Sequence, residues 1–504
     1  MENITNTFNS KDRSYSFFKI ERAVENIPTV SILIASLYRN LRMVSASERS
    51  SNHNAEELYL KLNSSTDLGS IFTNAELVEL FNTSLSIPTS ESQLKKKKIW
   101  ASPIVPEVGN YGLAARMTGN PWNPGGFILE ILANYSSNID EFLVIIKGLV
   151  SALEVDDNDN DVWSICVRSE FKSISKNLNI QCADNYDEKY FRDFYLSINR
   201  PEKKLLYLSE YARNAIVDIR NIVDLKNRLT RQKWLGFFEA FLRLTVFNHI
   251  IYSINLSRNY FNIIADKLLQ GSNDISESDL YDLLNLKTTL NDVRIKVGTG
   301  RKQYIRDHVE SFAYYNALLG GMFSHCGIPN FEDFVTIHHF RESTETLIRK
   351  FGNRSSLEEF KMKFQEDNET DLLKLNENFS SFKNIKESLG YLCTRKSSSK
   401  EKYISDVNYL FDKIGPSINS PYIFKISSGL ISALTSLIFL RLDDSRSFIS
   451  GLEFIKGLND YNIQLSINDI STGNIKDTML SLGIVIDCPD TEGGVLIIKP
   501  AWIK

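Results

Sequence analysis

Cysteine, proline and glycine are all scarce in this 504-residue chain, at 5, 12 and 24 residues. Cys166, Cys182, Cys326, Cys393 and Cys488 are odd in number, far apart and free of CxxC spacing. That pattern excludes a disulfide framework and a zinc ribbon, and it fits reduced thiols. So little Pro and Gly excludes a mostly disordered or linker-like chain. No sign of charge dominates: 58 Lys+Arg against 62 Asp+Glu give a net charge of −4. The molecule as a whole therefore exerts no attraction on nucleic acid, and any such binding has to come from local patches. A membrane-length apolar run is missing too. The most apolar segment, 244–256, is too short for a span and contains Asn248 and His249. The first 22 residues are polar and charged where a signal peptide needs an apolar stretch, so the expectation is a soluble, cytoplasmic protein.

Signature motifs for chemistry are also absent. There is no GxSxG elbow, no HExxH and no dinucleotide GxGxxG, and the segment 296–306 (KVGTGRKQYIR) lacks the GxxxxGK[ST] spacing of a phosphate loop. The acidic run 156–161 fails as a calcium loop. Counted from Asp157, the sixth position is Val162 where glycine is needed, and the twelfth is Arg168 where a bidentate Glu is needed. His325, Cys326, His338 and His339 have no completing ligand at a standard zinc spacing, and nothing near His338, Arg341 and Glu342 supplies a nucleophile. No cofactor or metal is expected, and a non-enzymatic role is favoured over an active site assembled from distant residues.

What the chain has in abundance is aromatic and helical texture, with 30 Phe and 21 Tyr mostly in helix-like periodic runs. The reading is a mainly α, multi-domain helical protein with a C-terminal winged-helix-like α+β module. Five segments follow: a helical N-terminal region (1–90), a basic and Trp/Pro/Gly-rich loop insert (91–126), a central helical core (127–393), a linker and apolar helix (394–444), and the module (445–504). Within them, helices are expected at 32–41, 56–62, 74–81, 127–153, 212–229, 233–269, 280–290, 303–323, 331–351, 357–382 and 427–442. Crowding of large apolar residues on more than one face marks 233–269 as a helix in the middle of a bundle. In the module, an amphipathic run from Phe448 is followed by short helices near Ile467 and from Thr472 or Gly473. Gly483 and two strand-like runs, 484–486 and 495–498, complete the order.

Four constellations are candidates for binding. Lys95, Lys96, Lys97 and Lys98 form the densest positive cluster, with Trp100 beside them to stack on an unpaired base. Arg213, Arg220 and Arg231 recur at nearly one helical azimuth, with Lys226 and Lys233 alongside, as a basic stripe would. Arg301 and Lys302 follow a glycine turn at a helix start, where backbone N–H groups favour an anion. Ser471, Thr472, Asn474 and Lys476 stand where a helix-turn-helix reaches base edges and phosphates. Against that last role, the wing tip 487–494 (DCPDTEGG) is acidic where a DNA-gripping wing carries Lys or Arg. The leading expectation is a non-catalytic nucleic-acid-binding subunit of a multiprotein assembly, on DNA more than RNA. The competing expectation is a scaffold or adaptor whose module docks protein.

Overall fold

The structure, a computed structural model, describes residues 32–44, 104–111, 124–155, 161–177, 186–198, 210–285, 295–296, 319, 326–327, 337–352, 416–417, 420–424, 428–442, 446–472, 474–490 and 494–503. Helices dominate these residues: α1 (Ile32–Asn40), α2 (Pro124–Tyr135), α3 (Ile139–Leu153), α4 (Val162–Asn177), α5 (Glu188–Ile198), α6 (Glu210–Asp224), α7 (Arg231–Gln270), α8 (Glu277–Asn285), α9 (Ile337–Gly352) and α10 (Ser428–Arg441). A short parallel strand β1 (Ile295–Lys296) and an antiparallel pair, β2 (Pro416–Ser417) and β3 (Ser420–Phe424), lie between them. The C-terminal unit runs β4 (Phe448–Ser450), α11 (Gly451–Asn459), β5 (Ile463–Gln464), α12 (Ile467–Ser471), α13 (Asn474–Ser481), β6 (Val485–Asp487) and β7 (Val495–Ile498).

The expected helix over 32–41 forms as α1, and its periodic residues Leu33, Ile34, Leu37, Tyr38 and Leu41 are all buried. It packs against α2 at very close range. A Cβ on Gly125 would come within 2.5 Å of the Ser36 backbone, and the Gly125 amide donates to Ser36 Oγ at 3.0 Å. Pro124 and Gly125, read from sequence as part of an irregular loop, instead open a helix. Proline at the first helical position loses only an amide that has no intrahelical partner there, and glycine admits the neighbouring backbone.

The single helix expected over 127–153 is two. Ser136, Ser137 and Asn138 interrupt it, and Asn138 caps α3 by accepting from the Glu141 amide at 2.9 Å. Short polar side chains satisfy orphan amides better at a cap than in a helix interior, which explains the break. The helix expected over 212–229 likewise ends at Asp224 and continues as a 3-10 turn, Leu225–Arg228.

α7 is 40 residues long, about 60 Å at 1.5 Å per residue. Trp234, Phe238, Phe241, Leu244, Leu256, Tyr260, Phe261 and Ile264 are buried along it, as the crowded faces of the sequence imply. It ends at Gly271 in the left-handed conformation, φ 65°, where glycine has no Cβ penalty. Ser276 then caps α8, with the Asp279 amide donating to its Oγ at 3.0 Å. One buried apolar cluster extends from Leu33 to Ile503, so the N-terminal helix, the long helix and the C-terminal unit share a core. Among the described residues no helix is long and apolar enough to cross a membrane.

In the C-terminal unit the residues from Phe448 begin as a strand rather than a helix. Ser450 ends that strand and makes a capping box with Glu453 that starts α11. β4, β7 and β6 form an antiparallel sheet in that order, with Ile449 opposite Ile497, and Ile486 opposite Leu496. β5 is not part of it and pairs in parallel with β1, Ile295 opposite Ile463. The expected helices at 56–62, 74–81, 303–323 and 357–382 lie outside the described residues, apart from Leu319.

Candidate functional site

The basic stripe is where structure and sequence part most clearly. Arg231 is not on the surface. It is 2% exposed, at the start of α7, and its guanidinium faces the C-terminal end of α3. Nε donates to the Ile104 carbonyl at 2.7 Å, Nη1 to Ala152 and Glu154 at 3.4 and 3.3 Å, and Nη2 to Leu153. The last carbonyls of a helix have no intrahelical donor, and the helix dipole favours a cation there, so one arginine answers both needs. Arg231 is therefore corrected from a phosphate contact to an internal helix cap.

The rest of the stripe engages the same helix. Arg220 donates to Glu141 Oε1 at 2.6 Å in the first turn of α3, and Lys226 Nζ donates to the Ser151 and Glu154 carbonyls at 3.3 and 3.0 Å in its last turn. The Ser137 amide, then Arg220, hold the Glu141 carboxyl below its ordinary range. Cations thus meet α3 where its dipole and carboxylate call for them, acid side at the N-terminus and carbonyls at the C-terminus. Lys233, the next member, has its Nζ 4.0 Å from the ring centroid of Trp502. Arg213 lies on α6 with its side chain outside the described residues. The stripe is divided between α6, the 3-10 turn and α7, and among its described side chains only Arg231 is buried, while Arg220 and Lys233 are exposed and held by protein partners.

Behind Arg231 lies a second group of buried ionisable side chains. Burial pushes the Tyr38 hydroxyl up to about 12, while Arg231 beside it pulls the other way. Glu107, on the 3-10 turn Pro106–Tyr111, is raised by burial against the pull of Lys172 and Arg168, whose Nζ and Nε stand 4.0 and 3.5 Å from its Oε1.

A third junction joins the C-terminal unit to the helices. Asp218 is 1% exposed and meets Arg441 at the end of α10. Arg441 Nε and Nη2 donate to its two carboxylate oxygens at 3.0 and 2.5 Å, and Nη1 is 3.5 Å from Asp460. Burial pushes the Asp218 carboxyl up to about 6 even against that guanidinium. Tyr461 packs its ring under Arg441, 4.9 Å to the centroid, and its carbonyl accepts from Asn248 Nδ2 on α7 at 3.2 Å.

At the expected reading end of the C-terminal unit, Thr472 is exposed, and its hydroxyl donates to the Asn468 carbonyl at 2.8 Å as α12 ends. Lys476 Nζ lies 2.5 Å from Asp487 Oδ1 at the base of the β6–β7 hairpin. Asn474 begins α13 with its side chain outside the described residues. Lys95, Lys96, Lys97, Lys98, Trp100, Arg301 and Lys302 also lie outside them. β1, Ile295–Lys296, pairs in parallel with β5 in the segment leading to α12.

The feature that sequence reading missed is the other face of the sheet. Ile449, Val485, Val495 and Ile497 point inward and are buried. The alternate residues Phe448, Ile486, Leu496 and Ile498 share the outward face with Ser450; Phe448 is 58% and Ile486 52% exposed, while Leu496 and Ile498 are half-buried. An antiparallel sheet with a solvated face alternates apolar and polar residues. The signal was present in the sequence: 484–486 (IVI) and 495–498 (VLII) are apolar at every position.

His338 belongs to a surface network, with Nδ1 3.4 Å from Glu277 and Nε2 3.2 Å from Glu342, while Arg341 bridges Glu277 and Glu345 at 3.6 Å each. Among the described residues no group of three or more His, Cys, Asp and Glu side chains is placed to hold a metal ion. No family model matches the chain, and no curated protein or solved structure matches it either.

Proposed function

We propose that this chain is a non-catalytic, helical subunit of a larger assembly and that its C-terminal unit is a winged-helix-like module used to dock protein. The order helix, helix, helix, strand, strand supports the module. One departure bears on its use: β5, between the first and second helices, pairs with β1, and the strand completing the sheet comes from before the first helix. The observation that carries the docking reading is the apolar outer face of that sheet, together with a would-be reading lysine, Lys476, tied to Asp487. A groove reader needs cations free to meet phosphate, and Arg220, Lys226, Arg231 and this lysine already have protein partners.

A second reading, nucleic-acid binding, keeps its support in the sequence, at Lys95, Lys96, Lys97 and Lys98 with Trp100 and at Arg301 and Lys302. One experiment separates the two. The full chain is purified from its source, treated with nuclease, and analysed for co-purifying protein, and its binding to single- and double-stranded DNA and RNA is measured from 50 to 300 mM salt. The docking reading expects a stoichiometric protein that survives nuclease. Affinity that falls steeply with salt and collapses when the four lysines are changed to glutamine, with no protein retained, would reject it.

A further inference from the structure

Five side chains in two cross-strand rows make the outer face of the β4–β7–β6 sheet, four of them apolar and the fifth Ser450, opposite Leu496 at the hairpin end. Phe448 is opposite Ile498, and Ile486 is opposite Leu496. The occupant can be argued from size and charge. With strands about 4.8 Å apart and about 3.3 Å per residue, three strands of up to four residues offer roughly 200 Å². A stable globular interface takes about 800 Å² from each partner, so this face suits contact with one secondary-structure element and not with a whole globular surface. A single helix, about 10 Å across, matches the footprint in about three turns.

Charge around the face is polarised along the strands. Asp490 stands exposed in the hairpin at one end, and Lys499 and Arg446 flank the other, Arg446 also meeting Glu453 at 2.8 Å. Helices carry the matching polarity by default, with acidic residues in the first turn and basic residues in the last, because the dipole favours them there. An apolar face with an acidic end also disfavours nucleic acid and an anionic membrane as the occupant.

We propose that this face seats one amphipathic helix of a protein partner, its apolar stripe on Phe448, Ile486, Leu496 and Ile498 and its basic C-terminal end toward Asp490. The inference rests on the docking reading of the module and specifies the surface, the kind of partner and its direction.

The test uses the full chain and two fluorescein-labelled 18-residue peptides with leucine at helical spacing, one with Glu in its first turn and Lys in its last, the other reversed. Both are matched for helix content by circular dichroism. Fluorescence anisotropy is expected to give at least fivefold tighter binding of the Glu-first peptide. Phe448→Ser with Ile486→Thr is expected to weaken it at least tenfold, and Asp490→Lys about threefold. Should the double variant fold poorly, Ile486→Lys, on a half-exposed edge-strand position, carries the same expectation. Binding of neither peptide, equal binding of both, or binding indifferent to the face variants overturns the proposal. So does a sedimentation-detected dimer that the face variants dissociate, since a second copy would then be the occupant. A natural partner cross-linked to the helices instead of the module leaves the subunit reading standing and removes this inference alone.

Discussion

Arg231 is buried at the heart of the helices and Arg441 is half-buried where the C-terminal unit joins them, and they work on different acceptors. Arg231 addresses four backbone carbonyls, which never titrate. Arg441 addresses the Asp218 carboxylate, which does. The hydrogen-bond acceptors of the first junction do not titrate, whereas the second contains a buried acid already pushed up to about 6. Which partner a buried cation has decides how the junction responds to its surroundings.

The largest effect is expected from Arg231→Met. It strands the carbonyls of Ile104, Ala152 and Leu153 in the core, at about 1–3 kcal/mol for each group left unsatisfied, while the Glu154 carbonyl keeps Lys226 as donor. A loss of about 4 kcal/mol or more in urea unfolding is expected, equal at pH 5 and pH 8. A loss that shrinks strongly at either pH would mean that a titrating group, with Glu107 and Tyr38 nearest, dominates the site instead.

Arg441→Met is expected to come next and to depend on pH. Removing one partner of a buried pair costs about 3–5 kcal/mol because the remaining charge is uncompensated. Asp218 escapes that cost by taking a proton. Its folded pKa lies above the unfolded value near 3.9, so its contribution to stability is fully present below about pH 4 and lost as pH rises through about 6. In the variant that window moves upward. A loss of about 3 kcal/mol at pH 8 that falls to about 1 kcal/mol at pH 5 is expected by urea unfolding. Equal losses at both pH values would make the two junctions alike and break the comparison.

Much of the helical architecture could be read from spacing. The apolar residues of 32–41, the crowded faces of 233–269 and the strand runs at 484–486 and 495–498 led to elements at those places. What could not be read was direction across the molecule. The recurrence of Arg213, Arg220 and Arg231 is a true property of one dimension, but which members of the stripe meet helix α3 depends on contacts 72 to 127 residues distant in sequence. Asp218 illustrates the same limit, since its partner Arg441 lies 223 residues away. Boundaries failed where local polar chemistry overrode periodicity, at Asn138 and at Ser450, and both were available as capping signals. The outer sheet face was legible as well, had the unbroken apolar runs been weighed against the alternation an exposed sheet requires.

The smallest expected effect is also the most direct test that the basic stripe holds the helices together instead of holding nucleic acid. Arg220→Gln and Lys226→Gln are combined, and the variant is measured side by side with the parent for urea stability and for affinity to a 20-nucleotide DNA at low salt. Their half-exposed contacts to Glu141, Ser151 and Glu154 contribute about 1 kcal/mol together. The account expects that loss of stability with unchanged DNA affinity. Unchanged stability with a tenfold loss of affinity would contradict it.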